Sequence, residues 1–463
     1  AALTAGRAGA DVILCEESHA LGGRLISDSQ TVGGLPAGDW VASVVAELQA
    51  LPNVRIMART TVTGAYDNGT YGALERVGLH KSARPNLPRE CFWRIVAKHA
   101  VLAAGALERP VAFENNDRPG IMMASAVRTY LNRYGVVPGK RVTVFANTDQ
   151  ARAVARELMA AGVQVAAIID PRPDAFSVED CPVHVGAEVV GNRGRLGLSG
   201  ITVRKGSETF EIETDCLAMS GGWNPTIHLT CHMNGRPRWS EDLAAFVPME
   251  GAVPGLVAVG AANGSMSTHG ALATGHAAAL KMVEALGRKV TVALPEAEDM
   301  PYRLKALWAV EGTGRAWLDF ANDVTTKDVK LAAQEGFRSV EHMKRYTTQG
   351  MAPDQGKNSN VAALAVLADA TGRGIAETGV TTFRPPYVPV SIAAMGAGGR
   401  AEGFAPQRFL TSDQASRDRG APMIEAGLWY RPSYFPKPGE STWREACDRE
   451  VNMVRQAVGV ADV

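Results

Sequence analysis

A short stretch near the start of the chain, DVILCEESHALGGRL, constrains the fold more than any other segment. Residues Val12–Cys15 form an apolar run of strand length that ends in two acids, Glu16 and Glu17, and a helical pattern, Ala1–Ala8, precedes it. In a dinucleotide-binding βαβ unit, an acid at the tip of the second strand hydrogen-bonds the ribose hydroxyls of adenosine. The stretch therefore predicts either half of such a unit or an ordinary βα packing unit with surface acids.

The rest of the nucleotide motif is only partly present. Paired glycines, Gly22 and Gly23, and the cation Arg24 follow the acids, but no strand with a GxGxxG turn precedes the helix. We expect that strand and its glycine turn to lie outside this sequence, which we interpret as a fragment cut at both ends.

The composition argues against several classes of function. The chain has 463 residues, 46% of them apolar, and 48 basic residues balance 48 acidic ones. This is globular composition, and its neutrality argues against a surface that coats nucleic acid or a charged membrane. No apolar run is long enough for a transmembrane helix. The cysteines form no CxxC pair, so we expect buried thiols in a reducing cytosol rather than a redox disulfide or a zinc site. They are Cys15, Cys91, Cys181, Cys216, Cys231 and Cys447.

A second βαβ unit is predicted from the strand Lys140–Phe145, the helix Asp149–Ala161 and the strand Gln164–Asp170. Its first turn, FANTD, contains no glycine, so side chains would crowd a pyrophosphate at the helix N-terminus. We therefore expect the fold of a nucleotide-binding unit here without a second tightly bound dinucleotide. Asp170 ends its strand like a ribose acid, but a turn cap before the following proline is the favoured interpretation. A β-meander is predicted from Val183–Val190, Gly200–Arg204 and Glu208–Glu213.

Isolated polar residues give weaker signals. Thr63 could contact adenine through its main chain, or it could be an ordinary sheet residue. Arg109 could meet a phosphate, although an exposed arginine after a turn is common. His228, Cys231 and His232 have helical spacing, but no acid or further nitrogen ligand is near them in sequence, so a simple helix start is favoured over a metal site.

The chain returns to the first unit through the strand Gly255–Ala262 and the alanine-rich helix Gly270–Leu286. In FAD-binding folds of this type the strand usually ends Gly-Asp, whereas here Ala261 follows Gly260. The missing carboxylate argues against a standard FAD site and leaves room for a dinucleotide held by the main chain and by Thr268.

The following part of the chain has helical patterns at Pro301–Ala316 and Asp328–Gly336, and then a polar run, KRYTTQGMAPDQGKNSN. In this run Lys357, Asn358 and Ser359 would suit a phosphate dianion, since an ammonium and small donors lie beside a glycine turn. A surface loop explains them equally well, because Asn358 or Ser359 would make a good N-cap for the next helix.

Several segments together resemble one family over essentially the whole chain. They are ILCEESHALGGRL, VLAAGALERPVAFENNDRPGIM, GLVAVGAANGSMSTHGALATG, and the polar run followed by TTFRPPYVPVSIAAMGAG. The family is that of the α subunits of heterotetrameric sarcosine oxidases. The resemblance implies an α/β fold with two Rossmann-like dinucleotide-binding domains of the FAD/NAD(P)-linked reductase type, a small helical domain, and the start of an aminomethyltransferase-like α+β domain. The implied domain ranges are 1–139 with 241–290, 140–240, 291–384 and 385–463.

The resemblance also implies a function and a set of cofactors. Sarcosine would be oxidatively demethylated to glycine with release of hydrogen peroxide, and the one-carbon unit would pass to tetrahydrofolate. This chain would bind NAD that does not turn over, FMN would lie at a subunit interface, and FAD would lie on a partner subunit. The expected partners are β, γ and δ subunits of a cytoplasmic hetero-oligomer, with no nucleic acid and no membrane. The alternatives are a subunit of a related N-methyl amino acid, opine or proline dehydrogenase, or a non-catalytic scaffold stabilised by NAD.

The dehydrogenase relatives carry a [2Fe–2S] cluster on four cysteines of the helical domain. In this sequence the corresponding positions are Asp319, Ala321, Asp354 and Ser359. Because thiolates hold such clusters, the sequence predicts that this chain has none, which favours the oxidase.

The residues that the resemblance assigns to cofactors lie at strand ends and in loops. For the dinucleotide they are Glu16, Glu17, Arg24, Thr63, Ala261, Met266 and Thr268. For the FMN phosphate they are Lys357, Asn358 and Ser359. Catalytic residues stay unassigned, and no metal ligand is expected. The two acids would repel a 2′-phosphate, which favours NAD over NADP, although Arg24 could accept one.

Overall fold

The computed structural model describes residues 1–82, 87–175, 180–396, 398–403 and 405–459. These residues form a mixed α/β fold with two units, Ala1–Val390 and Ser391–Val463. No helix in the described part of the chain is long and apolar enough to cross a bilayer.

The first Rossmann-like part begins with a parallel strand pair and continues into a meander. Its helices are α1 (Ala2–Arg7) and α2 (Ala37–Ala50), and a 3₁₀ turn covers Gly23–Ser27. Its strands are β1 (Val12–Glu16), β2 (Thr31–Val32), β3 (Leu35–Pro36), β4 (Val54–Ala58), β5 (Thr60–Tyr66), β6 (Thr70–Glu75), β7 (Cys91–Val96), β8 (Ala100–Leu102) and β9 (Ala106–Glu108). β1 pairs in parallel with β4, and β5, β6 and β7 form an antiparallel sheet. The predicted strand that carries the acid pair is confirmed.

The middle of the chain is a second Rossmann-like part. It consists of β10 (Ile121–Met123), α3 (Ala124–Tyr134), β11 (Arg141–Ala146), α4 (Ala151–Ala160), β12 (Gln164–Asp170), β13 (Val183–Val185), β14 (Ala187–Arg193), β15 (Gly200–Lys205), β16 (Glu208–Ile212) and β17 (Cys216–Ser220). A parallel sheet has the order β10–β17–β11–β12–β13, and β14, β15 and β16 form a meander. The prediction of one strand over Val183–Val190 is wrong. Gly186 lies at a φ of +66°, which ends β13 in the parallel sheet and lets β14 turn into the meander.

The chain then returns to the first part. The elements of this return are β18 (Trp223–Pro225), α5 (His228–His232), β19 (Arg238–Ser240), β20 (Ala245–Val247), β21 (Leu256–Ala258), a 3₁₀ turn at Gly260–Asn263, and α6 (Thr268–Ala285). β21 pairs in parallel with β8. Helix α6 packs against α1, where Thr4 Oγ1 and His276 Nδ1 are 3.2 Å apart. The returning helix predicted from the sequence is confirmed. The strand predicted over Gly255–Ala262 is shorter than expected, because Gly260, at a φ of +63°, begins the 3₁₀ turn.

The predicted helix at Pro301–Ala316 is wrong, because this segment runs extended across the molecule. It forms isolated bridges that join Leu304 to Thr148 and Ala309 to Ala112. In addition, the Ala112 amide donates to Trp308 O at 3.0 Å, and the Val310 amide donates to Ala112 O at 2.8 Å. Tertiary partners for the backbone therefore override the helical spacing of its apolar residues.

A helical part completes the larger unit. It contains β22 (Trp317–Asp319), β23 (Val324–Thr325), α7 (Thr326–Gln334), α8 (Val340–Thr347), α9 (Asn360–Thr371) and α10 (Ile375–Thr378). Helix α9 is buried without interruption from Asn360 to Ala368, so the other helices pack around it. Leu364 and Leu367 lie at the centre of this core.

The smaller unit, Ser391–Val463, is α+β. Its elements are α11 (Ile392–Met395), β24 (Arg408–Phe409), α12 (Asp413–Asp418), β25 (Met423–Ala426), β26 (Trp429–Pro432) and α13 (Trp443–Gln456). The strand order is β24–β26–β25. A capping box between Thr442 and Glu445 starts α13.

Candidate nucleotide site

The acid pair lies at the carboxyl end of β1, beside the parallel partner β4. Glu16 is half-buried, and its Oε1 accepts a hydrogen bond from the Ser18 amide at 2.8 Å. Glu17 is exposed. The Arg59 amide donates to Ser18 O at 2.9 Å and ties the acid loop to the start of β5. An exposed carboxylate at a parallel strand end is the arrangement that binds ribose hydroxyls in dinucleotide-binding folds.

Thr63 lies in β5, at a register shift of the β5–β6 pair between Val62 and Gly64. It is fully buried, and its Oγ1 donates to Gly72 O at 3.2 Å. Its own carbonyl accepts a hydrogen bond from the Tyr387 amide at 2.5 Å. One lone pair of the Thr63 carbonyl is therefore used within the chain, and the predicted main-chain contact with adenine stays a prediction.

Lys357 lies beside the same tyrosine. Its Nζ donates to Tyr387 O at 2.7 Å and is 4.1 Å from the centre of the Tyr387 ring. Burial lowers the pKa of Lys357, while the carboxylates of Asp354 and Glu17 act in the opposite direction. Burial, with a contribution from Glu17, raises the pKa of Tyr387 to about 12. The structure thus brings Glu17, Thr63 and Lys357 together around Tyr387, although the sequence assigned them to two different cofactors.

The other two residues predicted for the FMN phosphate differ in their exposure. Asn358 is exposed, whereas Ser359 is 4% exposed and its Oγ accepts a hydrogen bond from Gln349 Nε2 at 2.7 Å. The Ser359 side chain makes no capping bond at the start of α9. Lys357 and Ser359 thus hydrogen-bond other residues of the chain, and the prediction that the three residues bind a phosphate stays a prediction.

Arg24 follows the acid loop in the chain and lies in the 3₁₀ turn Gly23–Ser27. Its side chain is 38% exposed, its Nε is 3.9 Å from Asp28 Oδ2, and its guanidinium lies 5.9 Å from the centre of the Trp223 ring. Burial lowers the pKa of Arg24, and its ion pair with Asp28 is long.

The three closing-strand residues lie where β21 leads into α6. Ala261 is in the 3₁₀ turn that contacts β18, the strand of Trp223, so this turn and Arg24 lie against the same strand. Met266 and Thr268 are buried. Ser267 Oγ accepts the Gly270 amide at 3.0 Å and donates to Asp299 Oδ1 at 2.6 Å. Because the chain itself caps this helix end and places an acid there, the helix N-terminus is not free for a pyrophosphate.

The first turn of the second Rossmann-like part is also covered by the chain. Asn147 Nδ2 donates to Lys305 O at 2.7 Å, and Thr148 forms a bridge with Leu304. These contacts support the expectation that no second dinucleotide binds tightly in this turn. Asp170 Oδ1 accepts the Arg172 amide at 2.9 Å, as the predicted turn cap requires.

Arg109 departs from both of its sequence interpretations. It is 1% exposed rather than at the surface, and its guanidinium donates to Gly221 O, to Asn224 Oδ1 and to Ala244 O. Trp308 lies 4.6 Å from it. Burial lowers the pKa of Arg109 to about 10. Arg109 is therefore an interior residue that donates to oxygens of the protein. This position contradicts the interpretation as an exposed arginine, and a phosphate from solvent cannot reach it.

The positions that carry cluster cysteines in the dehydrogenases have a different organisation here. The Asp319 carboxylate is buried and accepts the amides of Ala321 at 3.0 Å, Asn322 at 3.2 Å and Gly350 at 2.7 Å. Asp354 is exposed. In the described residues no group of three or more His, Cys, Asp or Glu side chains has the arrangement of a metal site. A carboxylate that accepts main-chain amides thus takes a place that a thiolate would need for iron.

The two histidines of α5 are packed among aromatic rings. His228 is 4% exposed, 4.1 Å from the Phe383 ring and 5.1 Å from the Tyr387 ring. Burial, with the positive charge of Lys357 and the neighbouring His232, lowers the pKa of His228 to about 3. The short helix α5 is thus a packing element, in line with the expected helix start.

Sequence reasoning missed two residues of this site. Arg76 lies just after β6, and its Nη2 donates to Glu17 O at 3.0 Å. Tyr387 lies in a proline-rich connector. Neither position has a local motif, because each is brought to the acid pair only by the folding of distant segments.

Comparison with known proteins agrees with this architecture. Residues 313–399 match the family model of the sarcosine oxidase A3 domain. The whole chain is 46% identical to sarcosine oxidase subunit alpha of Rhizobium meliloti (strain 1021), of which it covers 48%. It is 38% identical to the subunit of that name from Corynebacterium sp. (strain U-96), of which it covers 50%.

Among solved structures, L-proline dehydrogenase from P. horikoshii has the same fold, with a TM-score of 0.66 at 20% identity. The match covers 85% of this chain and 76% of that one. The chain spans about half the length of the curated relatives that it matches. Along its entire length it is homologous to the α subunits of sarcosine oxidases, and it carries their A3 domain.

Proposed function

We propose that this chain is part of the α subunit of a sarcosine oxidase complex. The reaction would convert sarcosine, oxygen and tetrahydrofolate to glycine, hydrogen peroxide and methylene-tetrahydrofolate. In this proposal the chain binds NAD, the amine is oxidised at an FAD on a partner subunit, and FMN lies at a subunit interface. The similarity of the whole chain to about half the length of sarcosine oxidase α subunits is the observation that carries the proposal.

The NAD assignment rests on the acid pair and its surroundings. In the proposed complex the exposed carboxylate of Glu17 and the free oxygen of Glu16 accept the ribose hydroxyls, and Arg24 meets the pyrophosphate. Ala261, Met266 and Thr268 would bound the far end of the dinucleotide. These residues bind and orient NAD, and none of them is proposed to exchange a proton with the amine. The nucleotide would stabilise the folded subunit by mass action.

The FMN assignment rests on the family resemblance and on the position of the segment 357–359. Of the three predicted residues, Asn358 is the exposed one, whereas Lys357 and Ser359 hydrogen-bond other residues of the chain. Asn358 is therefore our first candidate for a contact with the flavin phosphate. The folate site and the β, γ and δ partners are likewise proposed from the homology. A cytoplasmic location is proposed with them.

A dehydrogenase subunit is the second candidate. The proline dehydrogenase fold is shared, but the carboxylate of Asp319 is committed to main-chain amides. The donor set does not fit a [2Fe–2S] cluster, which supports the oxidase.

The experiment that tests the proposal uses the complete complex. We expect the purified complex to release hydrogen peroxide on addition of sarcosine, and mass spectrometry of the denatured complex to detect NAD, FMN and FAD. Absence of peroxide, with electrons passing to an artificial acceptor, would favour the dehydrogenase. Rapid flavin reduction by added NADH would show that the dinucleotide is a substrate rather than a stabilising ligand.

A further inference from the structure

Trp223 lies next to residues that are proposed to bind the pyrophosphate and the far end of the dinucleotide, and no motif in the sequence marks it. We propose that its indole is the platform on which the nicotinamide ring of bound NAD⁺ stacks. The inference rests on the proposed NAD site and deepens it. It names the residue that distinguishes the complete dinucleotide from its ADP-ribose part.

Two residues assigned to the dinucleotide are neighbours of Trp223 on separate elements. The Arg24 guanidinium is 5.9 Å from the centre of the Trp223 ring. The 3₁₀ turn that contains Ala261 contacts strand β18, which begins with Trp223. In the proposed site Arg24 meets the pyrophosphate and Ala261 bounds the far end. Because the nicotinamide riboside is attached directly to the pyrophosphate, an indole next to Arg24 is within reach of the nicotinamide ring.

The main chain of Trp223 is fixed in place. Trp223 is the register partner of the buried Glu108 in the antiparallel pair of β18 with β9, and its amide donates to the Tyr302 hydroxyl at 3.1 Å. Gly222 has a φ of +99°, and a Cβ there would lie 2.9 Å from the Tyr302 hydroxyl, so the approach of Tyr302 requires glycine. The indole is therefore mounted on a preorganised main chain, which lowers the ordering cost of binding.

The indole also has surface left for a ligand. Trp223 is half-buried, and in the described part of the chain no aromatic ring stacks on it. The indole face is electron-rich, whereas the nicotinamide ring of NAD⁺ is planar, electron-poor and cationic. Aromatic stacking and the attraction of a cation to the ring face both favour this pair.

A role limited to packing makes a different prediction. If Trp223 only holds Arg24 through their cation–π contact, its loss weakens the contact of Arg24 with the pyrophosphate. NAD⁺ and ADP-ribose both contain the pyrophosphate, so both would bind more weakly by the same factor. A stacking platform for nicotinamide affects NAD⁺ alone.

The test measures the dissociation constants of NAD⁺ and ADP-ribose by calorimetry on nucleotide-depleted complex. ADP-ribose keeps the adenosine, the pyrophosphate and the second ribose but lacks the nicotinamide ring. We expect wild type to bind NAD⁺ more tightly than ADP-ribose. Trp223→Leu should raise the dissociation constant of NAD⁺ about tenfold through the loss of one stacked ring, and that of ADP-ribose by less than about twofold. Trp223→Phe keeps an aromatic face and should retain most of the affinity for NAD⁺.

A matched control is Trp443→Leu, since Trp443 is an exposed tryptophan on α13. It should leave both dissociation constants unchanged. The inference is overturned if Trp223→Leu weakens both ligands equally or neither, or if Trp223→Phe loses as much NAD⁺ affinity as Trp223→Leu. It is also overturned if wild type binds ADP-ribose as tightly as NAD⁺, although the adenosine half of the proposed site then stands. If wild type binds neither ligand, the proposed NAD site itself fails and the inference fails with it.

Discussion

Single residues in the interior show how context replaces a sequence signal. Arg109 looks like a surface arginine in the sequence, yet the fold buries it without a carboxylate, and three oxygens of the protein take its donors. These hydrogen bonds offset part of the cost of burying the guanidinium, whereas its Nη2 has no hydrogen-bond partner among the described residues. Trp308 adds a cation–π contact. Through these hydrogen bonds Arg109 holds the segments of Gly221, Asn224 and Ala244 together.

Arg109→Met should therefore destabilise the larger unit. We expect a loss of about 3 kcal/mol in the free energy of unfolding, because carbonyl groups that the guanidinium satisfied would be left buried and unpaired. Denaturant titration of the complex subunit measures it. Arg338→Met, at an exposed position, is the control and should change stability by less than about 0.5 kcal/mol. Equal stability of the two variants would contradict the structural role of Arg109.

His228 should make stability depend on pH. Its pKa is lowered to about 3 by burial and by Lys357 and His232, so the unfolded chain takes up a proton at a higher pH than the folded chain. The contribution is fully present above the unfolded pKa of about 6.5, and it is lost as the pH falls from there toward 3. Between pH 6.5 and 5 the loss should be about 2 kcal/mol.

His228→Leu should flatten this acid limb, and unfolding titrations at several pH values compare the two proteins. His342→Leu, at an exposed site on α8, should retain the wild-type slope. If His228→Leu loses stability as steeply as wild type between pH 6.5 and 5, His228 is not the group responsible.

At the scale of elements, the helical part shows what takes the place of a cluster. The Asp319 carboxylate joins the end of β22 to the loop after α8 by accepting the amides of Ala321, Asn322 and Gly350. The helices α7 and α9 follow from apolar patterns in the sequence. The hydrogen bond between Asp319 and the Gly350 amide could not be predicted in this way, because the two residues are far apart in the chain and share no motif.

Asp319→Ala should loosen these elements together. Removing the carboxylate leaves three main-chain donors without an acceptor, and we expect a loss of about 3 kcal/mol. Hydrogen exchange should show faster exchange of the Gly350 amide as well as of the amides after β22. Asp369→Ala on the exposed end of α9 is a control that should alter neither. Unchanged protection at Gly350 would refute the joining function.

At the scale of the larger unit, one arginine connects the two Rossmann-like parts. Arg128 on α3 donates to Asp28 Oδ1 at 2.9 Å and to Glu157 Oε2 at 2.7 Å. Asp28 belongs to the first part and Glu157 to the second, and the side chains of both acids are under 10% exposed. Because the two acids are largely shielded from solvent, we expect these ion pairs to restrict the relative motion of the two Rossmann-like parts.

Arg128→Met should release this restriction. Glu157 would lose its ion pair and Asp28 would keep only the long one to Arg24, so we expect a loss of about 3 kcal/mol in the free energy of unfolding and faster proteolytic cleavage between the parts. Limited proteolysis with mass spectrometry locates the cleavage. Arg156→Met, on the helix α4 that carries Glu157, is an exposed control. A cleavage pattern identical to that of wild type would show that Arg128 does not hold the parts together.

The sequence by itself determined the βα alternation, the acid pair at the end of β1, the glycine-free second turn and the lack of cluster thiolates, because these depend on local pattern and residue chemistry. Only the tertiary structure decided that Pro301–Ala316 is extended, since its backbone partners come from remote strands. It also decided that the Lys357 ammonium lies against Tyr387, to whose carbonyl it donates a hydrogen bond. A side chain's partners depend on which segments folding brings together, and local spacing carries no information about that.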